Sequence, residues 1–127
     1  MNAQLPCPCG SGETLQSCCG RLHAGAAAPT AEALMRSRYS AYAQALQSYL
    51  LDTWHPSTRP SSLDFDPKLK WLGLEVKRHQ LLGPDDALVE FVARCKLNGR
   101  AGRVHELSRF VREEGRWFYV AAEETRE

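Results

Sequence analysis

The chain has 127 residues, 43% of them apolar and 24% charged, and a formal net charge of +1. That length suits one modest domain plus an appendage, and the apolar share is enough for a core. Near-zero charge argues against nonspecific nucleic-acid binding, no apolar run reaches the ~20 residues of a membrane span, and no secretory leader is visible.

Four of the five cysteines fall in the first twenty residues, as Cys7-Pro8-Cys9-Gly10-Ser11-Gly12 and then Cys18-Cys19-Gly20. Two close pairs eight residues apart form a metal-ligand pattern, each pair supplying one edge of a tetrahedron. Gly10 and Gly12 permit the tight turn between them. Four thiolates suit zinc best, and a closed set of four predicts a structural ion rather than a catalytic one. Disulfides within a pair are disfavoured by proximity, while cross-pairing stays geometrically open. His23, four residues past Cys19, is an alternative ligand that four cysteines make unnecessary. Clustered thiols without secretion predict a cytoplasmic protein. Only Leu5 and Leu15 are large and apolar between Met1 and Gly20, so this piece is expected to fold around its metal or not at all.

Residues 21–29 read as a connector. Thr30 is a candidate N-cap with Glu32 in the first turn, and Ala31, Leu34, Met35, Arg38, Tyr39 and Tyr42 follow helical spacing, predicting a helix over 31–43. Leu46, Tyr49 and Leu50 predict a second helix over 44–53, broken from the first near Ala43 and ended by His55-Pro56. Residues 56–68 form a proline-bearing loop, with a short helical turn expected near 68–72. The period then changes to two. Strands are expected from Trp71, over 87–97, over 104–112 and over 116–122, separated by Gly83-Pro84-Asp85-Asp86, Asn98-Gly99 and Glu114-Gly115. Phe91, Phe110 and one of Trp117 or Phe118 should face the helices. Helices followed by a meander predict an α+β fold with helices on one face of an antiparallel sheet.

The run Cys7–Gly20 resembles the SEC-C zinc motif found at the C-terminus of the SecA translocation ATPase. Thr30–Tyr42, Thr53–Ser57, the spaced Glu106, Ser108 and Phe110, and Gly115–Tyr119 resemble the bacterial YchJ family. That resemblance covers nearly the whole chain. It implies a SEC-C motif with connector over 1–28, followed over 29–127 by a nuclear-transport-factor-2-like domain. In such a domain a curved antiparallel sheet wraps around helices and often leaves a conical pocket. The stretch Glu13–Ser17 lacks the lysines and the aromatic residue of the SecA motif, the features used there for partner and lipid binding.

Glu106, Ser108 and Phe110 share one strand face. If Phe110 faces the helices, so does Glu106, and a buried carboxylate needs a partner; Arg38 is the expected one, with Arg36 as alternative. A competing expectation makes Glu106 a general acid or base in a pocket. Candidate pocket residues are Arg38, Tyr42, Trp54, Phe91, Glu106, Ser108 and Phe110. Tyr39, Trp71, Trp117 and Tyr119 are aromatic residues that line a pocket or fill the core. Cys95 reads as a small core residue and His55 as a loop residue. Arg94, Lys96, Arg100 and Arg103 make a basic tip around Asn98-Gly99. Three functions follow as expectations. The first is a binding or adaptor protein, with a protein partner on the zinc module and a small ligand or peptide in the pocket. The second is an enzyme using Glu106. The third is a nucleic-acid or ribosome-associated protein, which the charge weakens.

Overall fold

The computed structural model describes residues 5–126, with side chains through residue 123. The outer ends of the two expected domains, residues 1–4 and 127, lie outside the described residues. Three helices precede four strands: α1 (Cys19–His23), α2 (Ala31–Gln44), α3 (Gln47–Asp52), β1 (Leu69–Gly83), β2 (Asp86–Leu97), β3 (Arg100–Glu113) and β4 (Arg116–Arg126).

Thr30 caps α2 as its type and extended backbone allow: its side chain accepts a hydrogen bond from the Ala33 amide at 3.0 Å. The break between α2 and α3 falls at Ala45, which turns left-handed with φ 57°, and the chain resumes helix only at Gln47. The second helix is therefore shorter than its apolar stripe implies. The first part of the expected connector is itself helical, as α1. No helical turn forms at 68–72, because Leu69 already pairs with Leu97 in the sheet.

The strands form one antiparallel meander in the order β1-β2-β3-β4. Asn98 (φ 52°) and Gly99 (φ 81°) supply the two positive-φ positions of a tight hairpin, and Glu114 with Gly115 repeats the device. The central strands β2 and β3 pair without irregularity. The outer strands carry bulges: β1 has three register shifts against β2, and β4 has two against β3. Extra residues in the outer strands bend the sheet and disturb its edges as templates for further pairing. The segment after α3 lies along β4, where the Tyr119 amide donates to Thr53 O at 2.9 Å and the His55 amide to Tyr119 O at 2.8 Å.

Helix α2 packs on the sheet face that carries Val89, Ala93 and Phe110. Phe110, Leu34, Leu50 and Val89 are fully buried, Trp117 is buried, and Phe91 packs against the same cluster. Cys7, Cys9 and Cys19 belong to that cluster too, so the cysteine loop and the sheet domain share one buried core.

Candidate functional site

The cysteine loop closes by backbone bonds before any ligand is considered. The Cys7 amide donates to Glu13 O at 2.9 Å and the Leu15 amide to Leu5 O at 2.8 Å, pinning a short hairpin. Gly10 and Gly12 take φ of +80° and +89° in its turn. Gly20 is required for a different reason: a Cβ there would stand 2.6 Å from Leu15 O. The result brings the Sγ atoms of Cys7, Cys9, Cys18 and Cys19 within 4.8 Å of one another. Cys9 and Cys18 are 3.7 Å apart, Cys18 and Cys19 3.9 Å. A tetrahedral ion bound by thiolates at ~2.3 Å has sulfur–sulfur edges near ~3.8 Å, so the donor set fits a metal ion. All five cysteines are free, and no cross-paired disulfide forms.

The electrostatics around the sulfurs spread their proton affinities apart. The Cys9 thiol is pulled down to about 4, chiefly by the hydrogen bond from Cys19 and further by bonds from Ser11 and Cys7, against the opposing effect of burial. The same Cys9–Cys19 bond pushes Cys19 up, and burial pushes Cys18 up. Among themselves the thiols thus stabilise the Cys9 thiolate, and a cation is what would deprotonate Cys18 and Cys19. Ser11 Oγ donates to Cys18 Sγ at 3.1 Å, and Ser40 Oγ of α2 lies 3.4 Å from Cys7 Sγ. Arg36 Nη1 donates to Cys9 O at 3.1 Å while its Nε pairs with Glu32 at 3.0 Å. These partners escaped the sequence reading, because nothing in the spacing says which face of α2 meets the loop. His23 is no ligand. Its Nε2 lies 2.8 Å from Ser37 O and its ring packs edge-on to Tyr49, holding α1 to α2.

Beside the cluster, between α2 and the sheet, lies a cavity of about 220 Å³. Arg38, Tyr42, Phe91, Glu106, Ser108 and Phe110 line it, with Met35, Tyr39, Trp71, Ala93, Val104 and Tyr119. Trp54 does not. Its ring sits 5.1 Å from the Arg38 guanidinium and edge-on to Tyr119, packed against two lining residues without lining the cavity itself. Met35, Ala93 and Val104 went unnoticed because apolar residues at regular spacing read simply as core.

The expected Arg38–Glu106 ion pair is absent. Arg38 Nη1 instead donates to Leu50 O at 2.8 Å and Thr53 Oγ1 at 2.7 Å, at the C-terminal end of α3. A cation there satisfies helix-end carbonyls and meets the negative end of the helix dipole, although α3 is short. The guanidinium also lies 4.6 Å from the Tyr119 ring. Burial lowers its proton affinity, offset in part by the Tyr42 and Tyr119 hydroxyls and then by Glu106. Glu106 Oε2 accepts hydrogen bonds from Ser108 Oγ and, at 3.3 Å, from Tyr119 Oη. Tyr119 therefore joins the two charges, with its ring against one and its hydroxyl on the other. Cys95 is half-buried, near Gly102. His55 is more engaged than a loop histidine, with Nδ1 2.7 Å from Ser57 Oγ and Nε2 2.8 Å from Glu113. In the basic tip, Arg94 contacts Glu75 at 4.0 Å.

A four-cysteine loop docked on a helix-backed antiparallel meander defines a class: a SEC-C motif joined to an NTF2-like domain. The SEC-C motif model matches residues 5–21, and the model described as "YchJ, middle NTF2-like domain" matches residues 30–122. The chain belongs to the YchJ family. A UPF0225 protein of Chromobacterium violaceum is 60% identical over 126 residues, covering 94% of this chain and 93% of that one. A UPF0225 protein of Bordetella pertussis is 57% identical over 118 residues, covering 90% and 89%. Two solved structures are similar. The solution structure of a SEC-C motif-containing protein from Rhodopseudomonas palustris has a TM-score of 0.82 at 36% identity, covering 92% of this chain and 96% of that one. The crystal structure of a SEC-C motif-containing protein from Psychrobacter arcticus has a TM-score of 0.81 at 29% identity, covering 100% and 86%.

Proposed function

We propose that this protein is a binding module rather than an enzyme. One structural zinc ion, held by Cys7, Cys9, Cys18 and Cys19, secures the N-terminal loop, and the cavity beside α2 takes a small, mainly apolar ligand or peptide side chain. The observation that carries this reading is the lining of the cavity: aromatic and aliphatic walls with one polar end at Arg38, Glu106, Ser108 and Tyr119. Among the described residues no histidine or cysteine lines that space. Ser108 is engaged as a donor to Glu106, and the Glu106 oxygen that Ser108 and Tyr119 touch is already an acceptor twice over. Four thiolates favour zinc over harder cations, and a closed set leaves no open coordination position for chemistry. Five free cysteines are consistent with a reducing compartment, which supports a cytoplasmic location. Among the described residues no helix is long and apolar enough to cross a membrane. A protein partner would meet the exposed rim of the SEC-C loop at Leu5 and Ser11–Glu13. Nucleic acid is disfavoured by a formal charge of only +1.

Native mass spectrometry of the chain purified from its own host under reducing conditions tests the reading. The expected spectrum carries one zinc per chain and an additional small-molecule mass that organic extraction releases unchanged. Steady conversion of that molecule by the purified protein would place the enzyme reading first.

A further inference from the structure

The cavity holds two charged heads of opposite sign that do not neutralise each other by contact. Arg38 is 5% exposed; its Nη1 donates to Leu50 O and Thr53 Oγ1, and its guanidinium also meets the Tyr42 hydroxyl. Glu106 takes both of its hydrogen bonds on Oε2. Among the described residues, Oε1 of Glu106 accepts nothing, and no carboxylate contacts the guanidinium. Both residues line the same cavity, and Tyr119 and Tyr42 each interact with both of them.

This arrangement selects by charge. A carboxylate ligand reaching Arg38 would also meet Glu106, and an ammonium ligand reaching Glu106 would meet Arg38; each is an unfavourable burial of like charge. An uncharged head with an acceptor beside a donor suits both. Its carbonyl oxygen takes an Arg38 N–H while its own N–H reaches Oε1 of Glu106. The walls set the rest of the molecule. Tyr39, Tyr42, Trp71 and Phe91 offer rings to a flat apolar body. At about 220 Å³ the space lies below the ~300 Å³ of drug-sized pockets, so the body is small.

Resting on the reading of this cavity as a ligand site, we infer that its ligand is a small, neutral, planar molecule with a cyclic-amide head, an N–H beside a carbonyl, on an aromatic body. The Arg38–Tyr119–Glu106 end reads the head, and the aromatic walls hold the body.

Three bicyclic probes of nearly equal size separate the possibilities: 2-quinolinone (neutral cyclic amide), 2-naphthoate (carboxylate) and naphthalene (no head). Each is titrated into the intact, metal-loaded, isotope-labelled protein while amide and arginine side-chain chemical shifts are followed. The expected order is 2-quinolinone at least tenfold tighter than either competitor, with shifts centred on Arg38, Glu106 and Ser108. Glu106→Gln removes the negative head, so it should weaken 2-quinolinone and strengthen 2-naphthoate, reversing their order. Tightest binding of 2-naphthoate to the unmodified protein overturns the inference, as does equal binding of naphthalene and 2-quinolinone; either leaves the cavity standing as a ligand site. No shift with any probe overturns both, because the cavity is then closed core. The unmodified protein alone decides these outcomes if the variant fails to fold.

Discussion

Arg38 shows how a single residue can be placed correctly and partnered wrongly. Its position on α2 puts it inside, but the Leu50 carbonyl and Thr53 hydroxyl at the end of α3, with the rings of Trp54 and Tyr119, compete for it. Arg38→Ala should cost about 3 kcal/mol in urea denaturation, since it leaves a cavity and strips a donor from Leu50 O. Arg38→Met should recover a large part of that, because an apolar chain of similar length refills the space without burying a charge. The tyrosines make a second test at this scale. All four, Tyr39, Tyr42, Tyr49 and Tyr119, are shifted upward from the ordinary value of 10.0, in each case chiefly by burial. Above pH 10 the unfolded chain loses these protons while the folded chain keeps them. Stability should therefore be unaffected by these groups below about pH 10 and fall as pH rises beyond it. Absorbance of phenolate should climb together with unfolding measured by circular dichroism; ionisation near pH 10 in a still-folded protein would contradict the burial.

Two elements depend on single residues at their ends. Thr30→Ala removes the side-chain acceptor for the Ala33 amide, and should destabilise the protein by about 1 kcal/mol in chemical denaturation. Gly20 is more demanding. Any Cβ there collides with Leu15 O, which belongs to the turn that carries Cys18 and Cys19 toward Cys9. Gly20→Ala should lower the metal retained after dialysis well below one per chain while leaving the sheet's circular dichroism intact. Full retention would mean that the loop can shift by the missing fraction of an ångström without parting its sulfurs. Among the strands, the bulges of β1 and β4 explain why alternation is clearer along β2 than along the two outer strands. Each inserted residue flips the register, and the exposed Leu72 and Leu82 sit at such points.

At the scale of the whole molecule, the cysteine loop and the sheet domain are joined rather than merely tethered. Cys7, Cys9 and Cys19 are packed in the cluster that holds Leu34, Met35 and Phe110, and Arg36, Ser40 and Ser37 of α2 bond to the loop and to α1. Removing a metal ion held by the four cysteines would leave four buried or half-buried thiols in that shared core. Chelation under reducing conditions should lower a single cooperative thermal transition by about 5 °C or more, read by circular dichroism. An unchanged main transition, with only a small local loss, would mean that the cysteine loop unfolds independently of the sheet domain.

What the amino-acid sequence determined on its own is what local chemistry can specify. Cysteine spacing with two intervening glycines marks a loop that gathers four thiols, Thr30 marks a helix start, and Asn98-Gly99 marks a hairpin, because each signal acts between near neighbours. Alternation along 87–97 and 104–112 was enough to order the central strands and to put Glu106, Ser108 and Phe110 on one face. The partners were decided by tertiary structure. Whether Arg38 meets Glu106 or the end of α3, whether Trp54 enters the cavity or backs it, and whether Ser40 touches a sulfur all depend on how α2 and α3 cross the sheet. Those crossings are set by packing summed over the whole core, in which alternatives differ by little per contact and no short stretch of sequence carries the difference.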